Sequence, residues 1–83
     1  MSNADLINQC VNTARQFRLG HDTNGHNMLV DVLDGLEAAL TGGVLDPVSC
    51  EPVLSEMLGA RQRADLLLIA DILEHIIAPS IPR

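Results

Sequence analysis

The chain has 83 residues, with eleven carboxylates against five arginines, no lysine, and a net charge of −6. That length holds one domain, able to bury roughly 60–65 % of the surface its unfolded chain exposes. The charge excludes the cationic surface that nucleic acids and anionic membranes require; it suits either a basic segment of another protein or solubility alone, the commoner use of surface charge.

Phe17 is the sole aromatic residue. The core therefore falls to Leu, Ile, Val, Met and Ala, a set that favours helices over strands. The opening "MSNADLINQC" has neither a basic nor an apolar leader segment, so a cytoplasmic protein with two reduced, buried thiols, Cys10 and Cys50, is expected. The "SNA" there resembles a tag-cleavage scar, which marks residues 1–4 as an expected remnant.

The first predicted helix covers 4–19. Ile7, Cys10, Ala14 and Phe17 draw one apolar stripe, Arg15 and Arg18 complement the dipole at its end, and Gly20 stands where a C-terminal cap belongs. The second covers 24–41, capped by Asp22, Thr23 or Asn24, with Met28 or Leu29, Val32, Leu33, Leu36, Ala39 and Leu40 inward. "TGG" at 41–43 ends it. Asp46–Pro47 forms an N-cap and first-turn pair, with a second possible start at Ser49, and a third helix is predicted over 50–62.

Asp65 caps the fourth, 66–78, which Pro79 should stop. Leu66, Ile69, Leu73, Ile76 and Ile77 form its main face, and Leu67, Leu68 and Ile72 extend the apolar surface round the cylinder. A helix apolar over most of its circumference is either central or shared with another chain. These patterns together predict an all-α, small antiparallel four-helix bundle in a single domain, 1–83, with 80–83 as a disordered tail.

Two constellations could carry chemistry. His21 and His26 fall in "RLGHDTNGHN", five residues apart, which suits no helical metal site; with cap residues around them, a helix–helix turn is the expectation. Asp71 and His75, at i and i+4 with Glu74 between, could form an acid–base pair or half of a carboxylate metal site. Di-metal bundles draw such a cluster from more than one helix, and only one is present. No nucleophile elbow, phosphate loop or zinc-protease motif occurs, and no serine stands in the D-S-L that acyl carriers use. No metal or cofactor is expected.

The tail "RQRADLLLIADILEHIIAPSI" resembles that of small bacterial helical proteins ending in D-x-x-x-L-A-D-L-L-E-Y/H-x-L-x-P. Asp65, Ile69, Ala70, Asp71, Ile72, Leu73, Glu74, His75 and Pro79 occupy that pattern. The resemblance covers about a quarter of the chain and implies a bacterial helical protein without implying an activity. A looser likeness, in architecture alone, is to the small acidic chaperones of flagellar and type III secretion, which would bind an amphipathic helix.

The expected function is a non-catalytic interaction module or small adaptor. Self-association as a homodimer is expected through Leu67, Leu68 and Ile72, flanked by Asp71 and His75. A small enzyme or metal-binding protein using His21 with His26, or Asp71 with His75, is the alternative. An adaptor should present an apolar groove rimmed by carboxylates; an enzyme should bring at least two of those four residues into one concavity.

Overall fold

In the computed structural model, which describes residues 2–83, α1 (Asn3–Arg18) opens on a reciprocal capping box. The Ser2 Oγ accepts from the Asp5 backbone N–H, and the Asp5 carboxylate accepts from the Ser2 backbone N–H. Two orphan donors of the first turn are thereby satisfied. Ser2, expected as part of a scar, thus starts the fold; Met1 lies outside the described residues.

α2 (Asp22–Thr41) and α3 (Pro47–Gln62) follow. The fourth helix, α4, is an α-helix over Leu66–Ile72, a π turn over Leu73–Ile77 and α again over Ala78–Ser80. There is no strand among the described residues. α1 packs on α2 and on α4, while α3 packs on α4. The outcome is the small all-α bundle that the periodicities predict.

Three helices end in the same way, and the ends explain the turns. After α1, the N–H of Gly20 donates to Phe17 and that of His21 to Gln16; after α2, those of Gly43 and Val44 donate to Leu40 and Ala39. Gly20 and Gly43 both sit at φ +79°, the left-handed conformation this hydrogen-bond pattern needs. After α3 the same role falls to Ala64, at φ 56°, with its N–H on Arg61 and that of Asp65 on Ala60.

An alanine there carries about 1–2 kcal/mol of backbone strain. Ala64→Gly is therefore expected to stabilise the protein by about 0.5–1 kcal/mol, part of the relief being offset by the freer unfolded chain. Chemical denaturation should show a higher midpoint at unchanged slope; a lower midpoint would contradict the strain.

The core is aliphatic: Leu6, Cys10 and Ala14 from α1, Leu29, Val32 and Leu36 from α2, Met57 and Ala60 from α3, and Ile69, Ile72 and Leu73 from α4. Thr13, the one buried polar residue among the described residues, donates its hydroxyl to the Gln9 carbonyl at 2.7 Å, so its burial leaves no orphan hydroxyl donor. Phe17 closes one end of the core against Gly25 and His26. Its ring meets the His26 imidazole edge-on, with centroids 5.2 Å apart.

Several expectations are corrected here. α2 begins at Asp22, and its N-cap is His21, which makes no side-chain capping bond; none of Asp22, Thr23 and Asn24 caps it. α3 is one helix from Pro47, its start fixed by Asp46 accepting from the Val48 N–H, and Pro52 lies within it. Pro79 does not stop α4, because the preceding turn widens: the Ala78 N–H reaches back to the Leu73 carbonyl. In a plain α-helix the proline ring would press on the carbonyl of His75, four residues before it. Within the expected tail, Ile81 is only 3 % exposed and belongs to the core, while Pro82 and Arg83 beyond it are exposed.

The candidate functional site is an apolar groove

Because α2 packs on α1 and α3 packs on α4, the C-terminal half of α2 and the N-terminal half of α3 are left facing each other across a groove. Its volume is about 320 Å³. Leu36, Leu45 and Ile77, all buried, form its floor. The walls are the half-buried Leu40, Cys50, Val53 and Leu54, and the exposed Val44 and Ile76 stand at its edge.

The polar groups of the groove are few and already engaged. Ser49 Oγ donates to Asp46 Oδ2 at 2.9 Å, and Ser80 Oγ donates to the Ile76 carbonyl at 2.7 Å. Asp46 holds the first turn of α3 as its N-cap. The remaining reactive group is the free thiol of Cys50, which is half-buried at the wall and not fully enclosed as expected. The other free cysteine, Cys10, is wholly buried, and that burial pushes its thiol pKa up to about 11.

The π turn is what brings Ile76 to this surface. An uninterrupted α-helix would continue the inward set Ile69, Ile72 and Leu73 with Ile76, Ile77 and Ser80. One extra residue in the turn moves the inward set to Ile77, Ala78 and Ile81, and Ile76 emerges 45 % exposed.

The residues singled out in the sequence lie elsewhere. His21 and His26 flank the start of α2, the first with Nδ1 3.0 Å from Gln16 Oε1, the second packed on Phe17 with its own Nδ1 buried and unpartnered. Asp71 is taken by Arg18, whose Nη2 donates to Asp71 Oδ1 at 2.8 Å while Nη1 pairs with Glu74. The two hydrogen bonds, that to Asp71 first, raise the guanidinium pKa further, and the clamp ties α1 to α4. His75 is exposed in the π turn. None of His21, His26, Asp71 and His75 lines the groove, and no cluster of three or more His, Cys, Asp or Glu among the described residues could hold a metal ion.

The predicted association face divides. Leu67 is 63 % exposed and Leu68 is half-buried, but Ile72 is 1 % exposed and belongs to the domain's own core. The apolarity of α4 therefore reflects mainly its contacts with α1 and α3, and Ile72 leaves the candidate face. The groove residues Leu36, Leu40, Val53 and Leu54 read from sequence as ordinary core stripe, since the periodicity that marks them is indifferent to whether the opposite wall is filled.

No helix among the described residues is long and apolar enough to cross a membrane. Comparison of the chain with family models, with curated proteins and with solved structures found no match.

Proposed function

We propose that this protein is a non-catalytic interaction module that receives a helical segment of another polypeptide in the groove between α2 and α3. The observation that carries the reading is the groove itself, an apolar concavity whose two hydroxyls are hydrogen-bonded within the domain. A surface with few free polar groups recognises apolar side chains and offers no acid–base pair for a reaction.

The groove lies at the surface between two helices, with exposed Val44 and Ile76 at its edge. A helix laid along such an opening would insert the apolar side chains of one face, at i, i+3, i+4 and i+7.

The test is a titration of the ¹⁵N-labelled protein with an amphipathic peptide that has leucines on one face and glutamines on the other. Shift changes are expected at Leu40, Cys50, Leu54 and Ile76. Changes confined to the outer side of α4 around Leu67, or none at millimolar peptide, would overturn the reading.

A further inference from the structure

We infer that the groove is selective for a basic amphipathic helix, a partner segment with an apolar face flanked by lysine or arginine. The inference rests on the groove being a binding site for a helix, as proposed above, and adds the chemistry of its occupant.

Charge placement carries it. None of the five arginines lines the groove. Arg15 and Arg18 are in the last turn of α1, Arg61 and Arg63 are at the far end of α3, and Arg83 lines a separate, more open hollow with Ile7 and Val11. Carboxylates stand on both walls instead. Asp46 lines the groove directly. Glu37 and Glu51 are exposed, each three residues before a wall leucine, Leu40 and Leu54 respectively, and so on the same side of its helix.

The helix ends act in the same direction. The C-terminal ends of α2 and α4, at Leu40 to Val44 and at Ile76 to Ser80, both abut the groove, and helix C-termini carry the negative end of the dipole. The positive N-terminus of α3 is also there, but Asp46 caps it with a full negative charge. A cation beside the groove meets favourable potential from each wall, and an anion meets repulsion.

Cys50 supplies the readout. It is the accessible thiol of the pair and sits in the wall, while Cys10 is enclosed. The full chain is treated with N-ethylmaleimide under native conditions, and the rate of Cys50 modification is followed by mass spectrometry. Three peptides with the same leucine face and with lysine, glutamine or glutamate on the polar face are added in turn. The lysine peptide is expected to slow the modification and to bind at least tenfold more tightly than the glutamine peptide. The glutamate peptide should bind more weakly than either. The lysine advantage should shrink in 0.5 M salt, and in the double variant Glu37→Gln/Glu51→Gln, whose affinity for the glutamine peptide should not change.

Equal protection by the glutamine and lysine peptides would overturn the charge selectivity and leave the groove as a helix site. A lysine peptide that binds without slowing Cys50 modification would overturn both readings, its binding then being diffuse attraction to an acidic surface. Protection that grows with protein concentration and needs no peptide would assign the groove to a second copy of the chain, and would overturn the inference as well.

Discussion

Raising the pH from 9 to 11 is expected to remove about 2 kcal/mol of this protein's folding stability. The cause is Cys10, whose buried side chain holds its thiol pKa near 11 against 9.0 for a free cysteine. Burial disfavours the thiolate, so in this interval the unfolded chain loses the proton while the folded chain keeps it. The unfolded state then binds fewer protons, and stability falls as pH rises: it is fully present well below pH 9, begins to fall near pH 9 and is largely lost by pH 11. The chain has no lysine and no tyrosine to add to the change in that window. Urea unfolding at half-unit steps of pH should show the decline. In Cys10→Ala the protein should start less stable, from the cavity left behind, and the alkaline slope should flatten. A slope of the same size in that variant would assign it to another group.

Gly25→Val is the second large effect, expected to cost about 2–3 kcal/mol by overpacking. A Cβ at Gly25 would stand 2.7 Å from two atoms of the Phe17 ring, nearer than such contacts occur. The ring is buried, with the His26 imidazole against it. Gly25→Ala should cost less, about 1–2 kcal/mol, since alanine recovers part of the loss through its better helix propensity. The mechanism predicts coupling: in a Phe17→Leu background, where the ring atoms are gone, Gly25→Ala should be neutral or stabilising. Additive losses in the double-mutant cycle would show that the ring is not the obstacle.

That same contact marks a limit of reading the sequence. Gly25 lies in "RLGHDTNGHN", where a glycine between polar residues looks like part of a turn. It is helical and buried because Phe17, the one bulky aromatic, needs a place where α2 presents no side chain. The turn residues shift accordingly: α2 starts early, and His21 rather than Asp22, Thr23 or Asn24 precedes it. Local cap chemistry was overridden by a packing demand from a different helix.

The helices themselves were legible, because Cys10, Ala14 and Phe17, or Leu29, Val32 and Leu36, repeat at the spacing that any buried helix face must have. Asp46 and Asp65 announce their caps for an equally local reason. The groove was not legible. Leu40 and Leu54 carry the same pattern as Leu36 and Met57, and only the arrangement of α3 on α4 decides which of them meets a neighbour and which meets an opening. Likewise Ile72 could not be told from Leu67 by hydropathy, although one is enclosed and the other faces outward.

The π turn in α4 has a consequence for how such a surface could change over generations. Leave Ile76 uncounted, and Ile69, Leu73, Ile77, Ala78 and Ile81 fall into the ordinary rhythm of a single buried face. Ile76 is then a supernumerary residue, looped outward by a helix whose interior is already complete without it. The side chain there answers to the groove and scarcely to the core, so the edge of the groove is free to drift in shape while the scaffold beneath it stays constrained. Interior and exterior are written on the same helix in separate phases.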